Sequence, residues 1–336
     1  MHNIAVIGCG YWGPNFVRIF TQMPGSQVKY VCDLNQDRLD KMKLLYPHVT
    51  TTTDMNDIFQ DPDVDGVVVA TPVRTHHPIA KKCLEAGKAT LIEKPICASV
   101  EEADDLIATA KEKKVALMVG HTFLFTAAVN KVKDLLNKGE MGDVHYVNST
   151  RVNLGIFQED INVIWDLAPH DISILNFIFD SDPTSVSAHG RDYIQNGVED
   201  VAFLTLHYPN GKMANLHVSW LDPCKIRRTT FVGSKKMVVY DDVEQLEKIR
   251  IYDKGVDVQP HYETFGEFHL AYRFGDIFTP KLDDREPLKA EAQEFLKAIE
   301  TGRAERATGE EGRSVVRVIE AACESIKKQG ARISLS

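Results

Sequence analysis

The chain has no basic excess. Lysine and arginine number 39 against 48 aspartates and glutamates, a formal net charge of −9 over 336 residues. A surface that neutralises nucleic-acid phosphates needs the opposite balance, so no nucleic-acid partner is expected. Long apolar runs are missing too. None approaches the roughly 20 residues that span a bilayer, and no membrane partner is expected. The chain runs straight into Ile4-Ala5-Val6-Ile7, without the basic segment, long apolar stretch and cleavage site of an export signal. Six cysteines, Cys9, Cys32, Cys83, Cys97, Cys224 and Cys323, are scattered with no Cys-x-x-Cys spacing. The simplest expectation is a reduced, cytoplasmic protein without a structural zinc site. The remaining composition, 43% hydrophobic and 26% charged residues, is that of a soluble globular protein. At a prior of about 100–200 residues per domain, this length suggests two domains.

The first third alternates short apolar runs with helical patterns. Residues 4–7, 28–32, 66–70, 89–92 and 115–119 are apolar and lack polar alternation, which predicts strands of a parallel sheet buried on both faces. Between them, stripes such as Ile79, Cys83 and Ala86, stopped by Gly87, predict helices on both sides of that sheet. After about residue 121 the pattern changes. Residues 144–153, 201–207 and 213–220 partly alternate, 231–232 and 237–240 flank a Gly-Ser-Lys-Lys turn, and 248–252 is a further short candidate. A helix is predicted near 165–179, and two more near the end, carrying Leu288, Ala292, Phe295 and Ile299, then Val315, Ile319, Ala322 and Ile326. The aromatic stretch 255–285 has no clean period and reads as a substrate or interface loop. The expected fold is an α/β Rossmann domain over 1–121 and an α+β domain over 122–336 with an open, predominantly antiparallel sheet. The terminal helices are free to pack back on the first domain.

Gly8-Cys9-Gly10-Tyr11-Trp12-Gly13 follows the first strand directly. Gly8 makes the tight turn, Gly10 lets a pyrophosphate approach the backbone, and Gly13 lets the helix lie close to the sheet. The helix N-terminus then offers N–H groups to the phosphates. Asp33 ends the second strand, where a carboxylate accepts hydrogen bonds from the adenosine ribose and repels a 2′-phosphate. That favours NAD over NADP. Arg38 stacks on adenine, pairs with Asp33 or accommodates a 2′-phosphate; the alternative for Asp33 is a helix N-cap. Tyr11 and Trp12 either flank the cofactor or pack in the first turn.

Two further segments make the pattern specific. One is Ala70-Thr71-Pro72, His76, Glu85-Ala86-Gly87-Lys88 and Glu93-Lys94-Pro95; the other is Asp166-Leu167-Ala168-Pro169-His170-Asp171. With the glycine turn, they resemble the Gfo/Idh/MocA oxidoreductases over essentially the whole chain. Within that family, Arg151-x-Asn153-Leu154-Gly155 and Asn162-x-x-Trp165 are similar to enzymes acting on nucleotide-linked sugars, the UDP-N-acetylglucosamine and hexuronic acid 3-dehydrogenases. Asp166 is a departure: some nucleotide-sugar members replace it, whereas the polyol and inositol branch keeps it.

Oxidising a secondary alcohol removes a hydride from carbon and a proton from oxygen. The resemblance assigns His170 as the base, and an imidazole titrates nearest neutrality. Asp166, four residues earlier, shares its face if the segment is helical and would orient and charge the ring. The alternative is that Asp166 caps a helix opened by Pro169. Lys94 stands at a strand's C-terminal end, where open α/β sheets bind ligands, and can stabilise a developing alkoxide or share the proton transfer. Glu93 binds the cofactor ribose or pairs with a nearby base, while Thr71, Pro72 and His76 line the nicotinamide side. Arg151, Asn153 and Trp165 are candidates for the sugar pocket. Arg227 and Arg228 either meet a diphosphate or alternate on an exposed strand. The His76-His77 pair lacks ligand spacing, so no metal is expected. The expected activity is NAD-dependent oxidation of a sugar hydroxyl, at C3 of a nucleotide-linked hexose. Other readings are an inositol or free-sugar dehydrogenase, a 3-ketosugar reductase, or a non-catalytic NAD sensor, which would not need Lys94, Asp166 and His170. The second sheet is expected to bury its open face in a homodimer or homotetramer.

Overall fold

The computed structural model describes residues 1–155, 157–158, 161–258 and 270–335. They form two compact units, Met1–Thr126 with Arg285–Arg317, and Ala127–Asp284 with Val318–Ser336. As a compact body the first unit runs to Thr126 and takes in the first terminal helix and part of the second.

The first unit runs β1 (His2–Ile7), α1 (Gly13–Gln22), β2 (Ser26–Cys32), α2 (Gln36–Leu45), β3 (Thr50–Thr52), α3 (Asn56–Phe59), β4 (Gly66–Val69), α4 (Val73–Glu85), β5 (Ala89–Glu93), α5 (Val100–Lys113) and β6 (Leu117–Gly120). Its sheet has the order β3-β2-β1-β4-β5-β6, and every pairing is parallel. Ile4, Val6, Val67, Val68, Leu91 and Ile92 are fully buried, as strands covered on both faces require. The order reverses between β1 and β4, so the loops after these strands open the crevice in which such sheets bind ligands. β3, only three threonines long and at the sheet edge, carries too little apolar signal to be read from sequence.

The second unit contains α6 (Ala127–Asn137), β7 (Val144–Val152), α7 (Val163–Phe179), β8 (Ser185–Arg191), β9 (Val201–His207), β10 (Met213–Ser219), β11 (Ile226–Gly233), β12 (Met237–Asp241), β13 (Ile249–Val258) and β14 (Leu270–Phe278). The terminal helices α8 (Pro287–Thr301) and α9 (Gly309–Lys327) follow, and β15 (Ile333–Ser334) ends the chain. The nine-stranded sheet runs β14-β13-β12-β11-β7-β10-β9-β8-β15 and is antiparallel except where β10 lies parallel to β7. Helix α7 packs on β7, β9 and β10, burying Ile164, Ala168, Ile172 and Leu175. The opposite face leaves Tyr146, Phe203 and Met213 partly exposed, with Phe203 stacked 4.4 Å from His217. The stretch read as an irregular loop is corrected in part. β13 extends to Val258 and pairs with β14, while 259–269 lie outside the described residues. Glycines and charges interrupt the apolar period there, and ladder pairing rather than a buried face defines these strands.

Among the described residues, no helix is long and apolar enough to cross a membrane.

Candidate functional site

The glycine turn is built by close approach. Gly8 has a φ of 97°, and a Cβ there would press on the Ala70 carbonyl. A Cβ on Gly13 would collide with the Gly8 carbonyl, so both positions require glycine. Gly10 differs: a Cβ there meets nothing within 4 Å, which leaves open space against the backbone. No side chain caps the start of α1; Pro14 brings no N–H and the Asn15 N–H donates to Trp12 O at 2.9 Å, so the positive end of the helix rather than a full set of free N–H groups faces an anion. Asp33 is held in place by backbone donors, Cys9 N–H at 2.6 Å and Asn35 N–H at 2.8 Å, with Arg38 Nη1 at 3.4 Å. Asn35 rather than Asp33 caps α2, accepting from the Arg38 N–H, so the N-cap alternative for Asp33 fails. An open glycine cradle, an uncapped helix start and a fixed carboxylate at the end of β2 suit the pyrophosphate and ribose of a dinucleotide. Tyr11 is largely exposed and lies edge-on to Trp12, with ring centres 5.8 Å apart.

The ends of β5 and β6 carry a dense set of ionisable groups. Lys94 is half-buried, and the Lys94–Pro95 peptide is cis. Its N–H donates to Glu93 Oε2 at 3.1 Å. Glu93 is buried under this turn. Burial raises its carboxyl to about 7, a rise that the Lys94 ammonium and N–H only partly oppose. His121, directly after β6, is buried, and its ring nitrogens meet no hydrogen-bond partner among the described residues. Burial and then the Lys94 charge push it down to about 3, so it is neutral. Glu291 of α8 is fully buried and accepts from Thr122 Oγ1 at 2.9 Å. Burial, then the charge of Glu93, hold its carboxyl well above the usual range. The sequence reading missed His121 and Glu291, although both left a signal. His121 follows a buried strand at its ligand-binding end, as Lys94 does. Glu291 is an acid three residues after Leu288, on the apolar stripe of α8.

This cluster sets a pH dependence with a definite sign. A carboxyl whose folded value is raised binds more protons folded than unfolded across the window from its ordinary value to about 7. Stability therefore falls as pH rises from 5 to 8, by about 3 kcal/mol for Glu93. Glu93→Gln should flatten that fall and leave the protein more stable than the parent at pH 8, measured by urea melts at both pH values. An unchanged slope would show that Glu93 titrates in its ordinary range.

His76 was expected against the nicotinamide. The structure instead buries it and directs Nδ1 to Pro95 O at 2.9 Å and Nε2 to Thr71 O at 2.7 Å. Thr71 itself accepts at its hydroxyl from Thr75 Oγ1, while Pro72 is exposed at the start of α4.

In the second unit, Asn162 caps α7. Its Oδ1 accepts the Ile164 and Trp165 N–H groups at 3.1 and 3.2 Å. Pro169 lies inside the helix, so the reading in which Pro169 opens it and Asp166 caps it fails. Asp166 and His170 thus stand four apart on one helix and share a face. Asp166 Oδ2 accepts from the buried Trp220 Nε1 at 2.9 Å, which anchors the carboxylate; this tie was not legible in the sequence. His170, Trp165 and Asn153 are all half-buried. Arg151 differs from its expected role in a sugar pocket. It is 4% exposed and donates from Nε to Asp171 Oδ2 at 2.7 Å and from Nη2 to Oδ1 at 3.3 Å. Arg227 and Arg228, read as meeting a diphosphate or as alternating on an exposed strand, each have a carboxylate partner. As neighbours on β11 they point to opposite faces of the sheet, Arg227 beside Arg151 and Arg228 beside Thr150. Arg227 meets Asp242 at 3.3 Å and Arg228 meets Asp241 at 2.8 Å.

Comparisons with known proteins agree with this architecture. Residues 2–121 match the oxidoreductase family with an NAD-binding Rossmann fold, and residues 129–239 match the GFO/IDH/MocA C-terminal domain. UDP-N-acetylglucosamine 3-dehydrogenase of Acidithiobacillus ferrooxidans is 29% identical over 258 residues, 76% of each chain. The scyllo-inositol 2-dehydrogenase (NAD(+)) of Bacillus subtilis is 27% identical over 282 residues, 80% of this chain and 82% of that one. A solved structure of the Acidithiobacillus ferrooxidans UDP-N-acetylglucosamine 3-dehydrogenase superposes with a TM-score of 0.80 at 26% identity, covering 98% of both chains. Two matched domains in chain order, on a fold whose glycine turn is shaped for a dinucleotide, place the chain in the Gfo/Idh/MocA family as an NAD-binding oxidoreductase.

Proposed function

We propose that the protein oxidises a secondary hydroxyl of a sugar with NAD, at C3 of a nucleotide-linked hexose such as UDP-N-acetylglucosamine or its uronic acid. The observation that carries the chemistry is the pairing of Asp166 and His170 on one face of α7, with Asp166 anchored by Trp220. The chemistry that NAD would supply when bound is acceptance of the hydride. Gly8, Gly10, Gly13, the start of α1 and Asp33 hold the cofactor, and the Asp33 carboxylate favours NAD over NADP. His170 takes the hydroxyl proton at a ring nitrogen, and the Asp166 charge stabilises the imidazolium that results. Lys94, at the end of β5, is the first unit's proposed donor to developing negative charge. Asn153 and Trp165 complete the sugar pocket. Arg151 has no part in this, because Asp171 occupies its guanidinium.

The substrate class is supported by the UDP-N-acetylglucosamine 3-dehydrogenase relative. A second reading, a polyol or inositol dehydrogenase, is favoured by the retained Asp166 and by the inositol dehydrogenase relative. The open face of the second sheet, with Tyr146, Phe203 and Met213, suits burial in a homodimer or homotetramer. Six free thiols suit a reducing cytoplasm.

The test is absorbance of the reduced nicotinamide when the protein and NAD meet UDP-N-acetylglucosamine, its uronic acid, myo-inositol, scyllo-inositol and glucose in parallel. Turnover is expected with a nucleotide sugar. Turnover on free polyols alone selects the second reading. NAD binding without turnover on any of them would overturn the dehydrogenase assignment.

A further inference from the structure

We infer that His76 is a positioning residue whose imidazole, bridging the carbonyl oxygens of Thr71 and Pro95, holds the turn that carries Lys94. The inference rests on the reading of Lys94 as a group that acts at the reacting hydroxyl. Thr71 follows β4 and Pro95 follows β5, so the ring ties together two neighbouring loops at the ligand-binding edge of the sheet. His76 sits in the first turn of α4 and is 1% exposed, which leaves no water to replace either bond.

Both partners are backbone carbonyls, which only accept. A neutral imidazole donates from one nitrogen and presents a lone pair at the other. Two good bonds therefore ask for two ring protons. Burial works against the charged ring and lowers its proton affinity; the two carbonyls oppose that, and the neighbouring Lys94 ammonium adds to it. Whichever nitrogen carries the proton, at least one loop stays tied, and the atoms tied are main-chain atoms. Main-chain atoms set where the Lys94 side chain starts. A displacement there of about 1 Å can cost roughly a hundredfold in rate when the group must meet a reacting atom. The bridge does not occupy the glycine turn or Asp33, so cofactor affinity should not depend on it.

The test compares His76→Phe, which keeps the ring shape without donors, with His76→Gln, which keeps one donor. In His76→Phe, kcat is expected to fall about a hundredfold while the NAD dissociation constant, measured by calorimetry, stays within threefold. His76→Gln should recover at least a tenth of the parental kcat. If the Phe variant does not fold, the Gln variant decides by a second measurement that needs no substrate: the backbone amide resonances of Lys94 and Ile96 should move, and those of Gly10 and Asn35, which touch neither anchored loop, should not. Unmoved Lys94 and Ile96 amides overturn the bridge. Moved amides with a parental kcat in both variants overturn its positioning role. A parent that turns over no sugar counts against the function proposed above, and the amide resonances then decide for or against the bridge by themselves.

Discussion

Lys94→Ala is expected to lower kcat by about a thousandfold while NAD affinity changes by no more than a few-fold. The split follows from where the residue stands. The proposed pyrophosphate and ribose contacts lie at the glycine turn and Asp33, which the substitution leaves intact. The ammonium at the end of β5 is the group proposed to meet a developing alkoxide. Its removal has a second consequence. Lys94 is the charge that partly opposes the raised Glu93 carboxyl and that helps depress His121. Without it Glu93 should hold its proton to higher pH. Lys94→Arg separates the two roles, because a guanidinium keeps the charge but does not release a proton near neutrality. Partial activity in the Arg variant would mark charge stabilisation as the main role; equal loss in both would mark proton transfer or exact placement. Parental turnover in Lys94→Ala would remove Lys94 from the mechanism.

The second large effect concerns stability. Arg151→Met should destabilise the second unit by about 3–5 kcal/mol, because it strands the Asp171 charge in the interior. Asp171 is 4% exposed, and among the described residues its side-chain partners are Arg151 and one hydroxyl, Ser149 Oγ at 2.9 Å, which is itself 2.8 Å from Thr229 Oγ1. One neutral donor does not compensate a carboxylate that far from water. The double change Arg151→Met with Asp171→Leu should cost less than the single one, since removing both charges also removes the desolvation penalty. Urea denaturation followed by tryptophan fluorescence suits this test, because Trp165 and Trp220 both lie in the second unit. A residue of the sugar pocket would behave differently: Arg151→Met would raise KM and leave the melt unchanged.

Much of the nucleotide-binding unit was legible because its signals are local. A glycine turn after an apolar strand, a carboxylate at the end of the next, and a lysine closing a third are each read within a few residues. Lys94, His170 and Asp166 are candidates named from short segments together with the family resemblance that those segments carry. The roles of arginines could not. Arg151 looks the same in sequence whether it meets a sugar or Asp171, twenty positions downstream on a facing helix. Arg227 and Arg228 look like a phosphate fork until the pleat of β11 sends them to opposite faces. The same holds for His76, whose motif points to the cofactor while its ring nitrogens point to main-chain oxygens. Long-range partners decide these cases, and neither periodicity nor spacing carries them. β8 and β14 were hidden for a related reason: they pair at the flanks of a sheet, where pairing tolerates mixed composition.

The division of the terminal helices bears on how the protein is made. Phe295 of α8 lies edge-on to Phe20 of α1 at 6.2 Å, and a Cβ on Gly66 would press against Ile299 and Phe295. The dinucleotide unit therefore exposes part of its apolar wall until Arg285–Arg317 has been synthesised. A ribosome releasing this chain makes β7 to β14 of the second unit before it supplies the segment that closes the first. Nascent chains stalled before α8 would carry a cofactor fold with an uncovered greasy flank, the kind of species that chaperones retain.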